Sequence, residues 1–195
     1  MKKRSLALLS GMMLCSLIGM SQSLHVGIKA GANIFKVDGK SFNDEFRFGY
    51  HIGAFGEVYI NSQWGVQPEI IFSQTNFRTG ESFNNIYPGG VNDVKGKLNY
   101  LSIPILLCYR PISLVAFQLG PQFGTLLNQD KNLLNNGKQA FKKGDFSLLA
   151  GAQLNLMKFK VGARYVIGLN NINDVGTSNK WKNQGFQVYV GVRII

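Results

Sequence analysis

The C-terminal segment of the chain alternates strictly between two kinds of side chain. Every second residue from Phe186 to Ile194 is apolar, whereas Gln187 and Arg193 are among the residues between them. Successive side chains of a β-strand point to opposite sides of the sheet, so this pattern predicts a strand with one uniformly apolar face. The segments FKVGARYVIGL and FSLLAGAQLNL follow the same rule upstream. Three consecutive strands are therefore predicted at the end of the chain.

Five earlier segments alternate with more exceptions, which raises the predicted number of strands to eight. A chain with 23 glycines, 14 phenylalanines and only 16% charged residues suits short strands and tight turns better than helices. The eight predicted strands cover residues 25–36, 47–60, 64–74, 98–110, 114–127, 146–156, 159–169 and 186–195.

Short and long connections alternate along the predicted strands. Residues 61–63, 111–113 and 157–158 form tight hairpins, whereas 37–46, 76–97, 128–144 and 170–183 are longer and polar. All short turns thus lie at one end of the sheet, as in outer-membrane barrels with periplasmic turns and extracellular loops. A bilayer offers no water to unpaired backbone groups, so such a sheet must close. We expect an all-β, eight-stranded, antiparallel up-and-down transmembrane β-barrel in the outer membrane.

The N-terminus carries the features of an export signal. A cationic start precedes an apolar run from Leu6 to Met20, and small residues follow. We predict a signal peptide over residues 1–23 and an outer-membrane barrel over residues 24–195. Cleavage removes Cys15 and leaves Cys108 as the single thiol, so no intramolecular disulfide is expected.

The net charge of +11 is compatible with binding to nucleic acid, with contact to an anionic membrane surface and with plain solubility. The cations are scattered through the predicted loops and do not alternate with aromatic residues, which argues against nucleic acid. In the predicted topology, Lys95, Lys97 and further loop lysines face the outer leaflet. Outer-membrane lipid and lipopolysaccharide are the expected partners.

The second face of the strands predicts a polar lumen. An eight-stranded barrel is just wide enough for side chains to fill, so we expect a plugged interior and no diffusive pore. Glu69 and Arg164 lie at similar depth on opposite strands, which predicts an ion pair, and Glu57 is placed to meet Lys29 or Arg193. We interpret these pairs as compensation of buried charge rather than a proton or ligand pathway. The predicted lining is Lys29, His51, Glu57, Gln67, Glu69, Gln118, Gln122, Gln153, Asn155, Lys160, Arg164, Tyr189 and Arg193.

Catalytic and metal-binding groups are not evident in the sequence. The chain has two histidines, and Ser102 and Ser147 have no evident histidine partner. We therefore expect no enzyme activity, no cofactor and no metal.

Pro104 interrupts one predicted strand. Proline removes a donor from the ladder, so we expect a bulge or weakened pairing at this position.

An ordered series of segments between His25 and Arg193 resembles a known family, the PorT-type outer-membrane β-barrel proteins of Bacteroidetes. The segments are GIKAGANIF, FGYHIGAFGEVYI, GVQPEIIFSQ, YLSIPILLCY, LGPQFG, DFSLLAG, ARYVIGLNNI and GFQVYVGVRI. The resemblance implies an eight-stranded outer-membrane barrel. It links one branch of the family to type IX protein secretion, with envelope or secretion proteins as partners, whereas most members have no assigned activity. We therefore expect an integral outer-membrane protein with a structural or interaction role.

Two other functions remain open. A soluble periplasmic or secreted ligand-binding barrel would reverse the two faces and enclose an apolar cavity. A lipid-modifying barrel enzyme would need a polar cluster that opens toward the outer leaflet.

Overall fold

The computed structural model describes residues 23–38, 46–79, 95–129, 144–170, 172 and 182–195. Apart from Ser23, the predicted signal peptide lies outside these described residues, as does most of each long connection. Among the described residues, no helix is long and apolar enough to cross a membrane. The strands are β1 (Ser23–Asp38), β2 (Arg47–Tyr59), β3 (Trp64–Arg78), β4 (Lys95–Ile112), β5 (Val115–Gln129), β6 (Gly144–Leu156), β7 (Phe159–Gly168) and β8 (Lys182–Arg193).

The eight strands form one closed antiparallel barrel. Each strand pairs with its neighbours in the chain, and β1 also pairs with β8 from Gly27↔Arg193 to Asp38↔Lys182. Both ladders of β1 are therefore occupied and the sheet has no free edge. The predicted fold class is confirmed.

Short turns gather at one end of the barrel, which we call the short-turn end. In the turn between β2 and β3, the Asn61 Oδ1 accepts hydrogen bonds from the backbone N–H groups of Gln63 (2.9 Å) and Trp64 (2.7 Å). The turn between β6 and β7 has only two residues, and Met157 adopts a positive φ of 58° to close it. The long connections leave from the opposite end, which we call the long-connection end.

At the long-connection end the strands extend further than predicted. The β3–β4 ladder continues to Arg78↔Lys95, whereas the sequence predicted a connection over residues 76–97. Alternation persists there, since Phe77 is buried in the lumen and Gly96 lies beneath its ring. A Cβ on Gly96 would come within 2.6 Å of the Phe77 Cζ atom. The ladder therefore continues because this glycine leaves space for the ring.

Pro104 weakens the pairing without shifting it. The β3–β4 ladder is interrupted between Ile71↔Ser102 and Pro68↔Ile105, and the register is the same on both sides. Of the two expected alternatives, the structure shows weakened pairing at Pro104 and not a bulge, because the missing donor removes a bond without inserting a residue. The register shifts toward β5 lie elsewhere, between Asn99 and Tyr100 and between Tyr109 and Ile112.

The apolar face points outward. Ile28 and Phe123 are each 56% exposed, whereas Lys29, next to Ile28 in the chain, is 2% exposed. Membrane barrels alternate in this way, with apolar residues outside and polar residues inside. A soluble ligand-binding barrel needs the reverse arrangement, so that alternative is wrong for the described strands.

Gly162 makes room for one of the largest side chains buried in the lumen. Tyr189 lies directly opposite it on β8, and a Cβ at position 162 would clash with the phenol ring. The ring therefore occupies the space above a strand position that has no side chain.

Gly162→Ala should destabilise the barrel by about 1–3 kcal/mol, because the added methyl group overpacks the lumen against Tyr189. The measurement is the urea unfolding midpoint in detergent micelles. Gly56→Ala is the matched control, since the nearest atom to its new Cβ is the Pro68 Cγ at 3.8 Å. Equal midpoints for the two variants would contradict the packing argument.

Candidate functional site

Three charged side chains from three strands meet in the lumen. The Lys29 Nζ lies 2.7 Å from the Glu69 Oε1, and the Arg164 Nη1 lies 2.9 Å from the Glu69 Oε2. Each of the three residues is 2% exposed. The structure thus brings Glu69 and Arg164 together, as the depth count predicted, and adds Lys29 from β1. Both carboxylate oxygens are used, which compensates a charge that would be costly alone.

A second ion pair lies closer to the short-turn end. The Glu57 Oε1 contacts the Lys160 Nζ at 2.8 Å. The sequence predicted Lys29 or Arg193 as the partner of Glu57, and that prediction is wrong. Lys29 is held by Glu69, and the stagger of the strands brings Lys160 of β7 across the lumen to Glu57. Arg193 is half-buried at the short-turn end, and the ion pairs found among the described residues do not include it.

Uncharged side chains connect the two ion-paired groups. The Gln67 amide donates to Glu69 (2.6 Å), and the Gln118 amide donates to Gln67 (3.0 Å). The Tyr189 hydroxyl lies between the side-chain oxygens of Gln118 (2.8 Å) and Gln153 (3.0 Å) and shares its single proton with them. The Gln153 amide then reaches Glu57 at 3.5 Å. One network therefore spans the lumen from Glu69 to Glu57.

A second branch rises toward the long-connection end. The Arg164 Nε donates to Gln187 (2.8 Å), and the Gln187 amide donates to the Asn33 Oδ1 (3.0 Å). The Asn33 amide donates to two backbone carbonyls, so its Oδ1 is an acceptor and His51 donates to it through Nδ1 at 2.8 Å. Asn33 and Gln187 were absent from the predicted lining, although alternation places both on the inner face.

Tyr189 contacts two cations of the lumen with its ring and two glutamine side chains with its hydroxyl. The Lys29 Nζ lies 3.8 Å from the ring centroid and the Arg164 Cζ lies 5.2 Å from it. Cations are attracted to the face of an aromatic ring, most strongly where water is excluded. One buried tyrosine therefore helps to hold both partners of Glu69.

The described lumen residues do not form a catalytic or metal-binding arrangement. Within the described ranges, no group of three or more histidine, cysteine, aspartate or glutamate side chains could hold a metal ion. His51 contacts Asn33 and Tyr189, whereas Ser147 contacts Asp145 at 3.5 Å. A serine, a histidine and an acid are thus not assembled among these contacts. The geometry is that of a packed polar plug.

The outer wall carries aromatic residues near both ends. Trp64 stacks on Tyr109 at the short-turn end, with centroids 4.6 Å apart, and Tyr50 packs near Phe72 (6.4 Å) toward the other end. The span from Trp64 to Phe72 is roughly 26 Å along β3, or about 20 Å after strand tilt. This matches the apolar band of roughly 25 Å between the aromatic girdles of outer-membrane barrels.

Glu69→Gln should lower the stability of the barrel by about 3–5 kcal/mol, because it leaves Lys29 and Arg164 buried without a counter-charge. The measurement is the midpoint of thermal unfolding in detergent. Unfolding is monitored on a gel, where the heat-dependent shift in mobility distinguishes the folded barrel from the unfolded chain. Glu57→Gln is the matched control and should cost less, since Lys160 keeps the Asn155 Oδ1 as an acceptor at 3.1 Å. An unfolding midpoint of the Glu69→Gln variant equal to that of the wild type would contradict a stabilising role of these ion pairs.

Comparison with solved structures gives the same architecture. One similar structure is that of Ail, the attachment invasion locus protein of Yersinia pestis, in complex with the heparin analogue sucrose octasulfate. It superposes on this chain with a TM-score of 0.53 at 17% sequence identity. The superposition covers 89% of this chain and 100% of that chain. Another crystal structure of Ail has a TM-score of 0.50 at 18% identity, and the match covers 87% of this chain and 98% of that chain. Neisserial surface protein A has a TM-score of 0.43 at 14% identity, and the match covers 87% of this chain and 95% of that chain. The two Ail likenesses show the fold alone.

No curated protein matches the chain. A family model described as "Outer membrane protein beta-barrel domain" matches residues 20–174, well over half of the sequence. The protein is located in the outer membrane, so the short-turn end is periplasmic and the long-connection end is extracellular. With its closed eight-stranded barrel, its apolar outer wall and this match, the chain belongs to the outer membrane protein beta-barrel domain family.

Proposed function

We propose that this barrel is a non-catalytic interaction component of the outer membrane, which acts through its extracellular end by binding anionic lipopolysaccharide. Its lumen serves as a structural plug. Its outer wall carries the binding groups.

The distribution of charge on the described strands supports this proposal. Every carboxylate whose side chain the structure describes is buried in the lumen, namely Glu57, Glu69 and Asp145. The outward-facing cations of the strands all lie near the extracellular end: Lys36, Arg78, Lys95, Lys97 and Lys182. A wall with cations at this level and no described acid attracts anionic head groups.

The bound ligand of a structural relative supports the choice of a polyanionic ligand. Ail was crystallised with sucrose octasulfate, a heparin analogue, on a barrel of the same fold. Clustered sulfates and clustered phosphates are both polyanions, and lysine and arginine side chains bind both. The cation distribution of this chain favours the same class of ligand.

The proposal includes neither catalysis nor transport through the lumen. Ser102 and Ser147 are buried, and the contacts of His51 go to Asn33 and Tyr189. The centre of the barrel is occupied by the network around Glu69, which leaves the described interior to side chains. An eight-stranded wall has no further width for a water-filled channel.

The narrower identity as a PorT-type protein of Bacteroidetes, with its link to type IX secretion, is a separate proposal. It rests on the ordered segments from GIKAGANIF to GFQVYVGVRI. Deletion of the gene followed by measurement of secreted type IX cargo tests it. Normal cargo levels in the deletion strain would refute the link without affecting the lipopolysaccharide proposal.

The refolded protein should bind lipopolysaccharide in preference to dephosphorylated lipopolysaccharide, and binding should weaken as salt rises above about 0.15 M. Native mass spectrometry of the protein released from micelles measures the bound fraction. Equal retention of the two lipids would contradict the proposed function.

Planar bilayers that contain the refolded protein should show no stable single-channel conductance, because the buried Lys29–Glu69–Arg164 group blocks the lumen. The position of the block is tested by Glu69→Gln, which frees two cations and should increase the frequency of transient openings. Stable channels in the wild type would contradict the plug.

A further inference from the structure

Arg193 is a cation that the sequence placed in the lumen network and that the structure leaves outside it. It is the last residue of β8, and the alternation of that strand directs its side chain into the periplasmic mouth of the barrel. Arg193 is half-buried there, and the ion pairs of the described residues do not include it. Glu57, its predicted partner, is held by Lys160 at 2.8 Å. The guanidinium of Arg193 is therefore available to an acidic group from elsewhere.

Two further nitrogen-bearing side chains lie next to Arg193 on neighbouring elements. The backbone N–H of Arg193 donates to the carbonyl of Lys158 (2.7 Å), an exposed residue of the turn between β6 and β7. On the other side lies His25 of β1, whose ring interacts electrostatically with Arg193 and whose Nδ1 is buried without a hydrogen-bond partner. We call His25, Lys158 and Arg193 the periplasmic cluster. Arg193 and Lys158 repel each other, so an anion bound between them stabilises both.

The chain has no spare acidic side chain at this end of the barrel. Among the described residues near the periplasmic mouth, Glu57 is the one acid, and residues 1–22, which precede β1 in the sequence, contain none. The other acids are Glu69 and Asp145 in the lumen and those in or next to the long connections. The long connections leave from the extracellular end. A carboxylate that pairs with the periplasmic cluster is therefore supplied by another molecule.

The position of Arg193 favours an acidic side chain from the periplasm over a lipid head group. The outward positions next to Arg193 are Val192 and Ile194, so a lipid outside the wall meets apolar side chains at this level. The interior of an eight-stranded barrel is only wide enough for side chains. Its mouth thus admits a carboxylate carried by a peptide and excludes a bulky glycan.

Exposed apolar side chains at the short turns give a protein partner further contacts. Each of the three turns presents one of them, namely Ile60 (66% exposed), Leu114 (44%) and Met157 (92%). Met157 extends beyond the last ladder pair of its hairpin, Leu156↔Phe159, toward the periplasm. Methionine is enriched at surfaces that bind proteins. The cluster therefore lies beside apolar groups of the kind that a protein surface covers.

We infer that the periplasmic cluster is a docking site for an acidic segment of a periplasmic protein. A carboxylate of the segment pairs with two N–H groups of the Arg193 guanidinium, and the Lys158 ammonium adds charge from the turn. The neighbouring Met157 packs against the same segment. This partner binds at the end of the barrel opposite to the lipopolysaccharide of the proposed function, so the two interactions are tested independently.

The test compares Arg193→Gln/Lys158→Gln with the control Lys95→Gln/Lys97→Gln, which removes the same charge at the extracellular end. The probe is fluorescein-labelled hexaglutamate, with hexaglutamine as the neutral reference. Its binding to the barrel in phosphatidylcholine nanodiscs is measured by fluorescence anisotropy. The cluster variant should bind hexaglutamate about tenfold more weakly than the wild type, while the control stays within about twofold of it. Heat-dependent gel mobility verifies that the variants form closed barrels.

A second variant, Lys158→Glu, changes only an exposed turn position and so keeps the barrel intact. It places a carboxylate next to Arg193 in the same chain, which competes with the probe and repels it. The affinity for hexaglutamate should fall by at least as much as in the cluster variant. An affinity equal to that of the wild type would overturn the site.

The remaining outcomes separate a protein partner from net charge and from lipid. A wild type that binds hexaglutamate no better than hexaglutamine overturns the inference. Equal losses in the cluster and control variants overturn the site in favour of net charge. Retention of phosphatidylglycerol by the wild type but not by the cluster variant, measured by native mass spectrometry, would indicate a site for a lipid head group and overturn the protein partner.

Discussion

Hydrogen-bond closure of the sheet is the constraint on which the rest of this structure depends. A backbone amide or carbonyl without a partner costs several kcal/mol in the hydrocarbon of a bilayer. The pairing of β1 with β8, from Gly27↔Arg193 to Asp38↔Lys182, gives the edge groups of both strands a partner. An even number of up-and-down strands and the separation of short turns from long connections follow from this closure.

Closure also creates an interior that must be filled. The inner wall cannot be lined by large residues alone, because the interior of an eight-stranded barrel is narrow, and Gly162 on the neighbouring strand leaves space for the ring of Tyr189. Charges inside this space must find partners, and Glu69 uses both carboxylate oxygens to hold Lys29 and Arg164. The polar lumen is therefore a packed part of the fold, which is why we propose the outer wall as the place of binding.

The outer wall divides into layers that match those of the membrane. Apolar residues such as Ile103 face the hydrocarbon, aromatic residues such as Phe72 border it, and Lys95 and Lys97 lie beyond it at the extracellular end. Among the side chains that the structure describes, the carboxylates are directed inward, where Glu57 and Glu69 pair with Lys160, Lys29 and Arg164. The charged side chains described on the outward face near the extracellular end are cations.

Period-two alternation in the sequence determined the strand number and the two faces, because both depend on local side-chain parity. Closure was predicted separately, because a bilayer offers no water to unpaired backbone groups. Counting depth along the strands was enough to place Glu69 near Arg164. It failed for Glu57, whose partner is Lys160, because the stagger of a closed sheet is not encoded in any single strand. Tertiary structure alone decided which side chains at similar depth meet across the lumen, and how far β3 and β4 continue beyond the membrane. The physical reason is that those contacts depend on tilt, shear and the space that the opposite wall leaves.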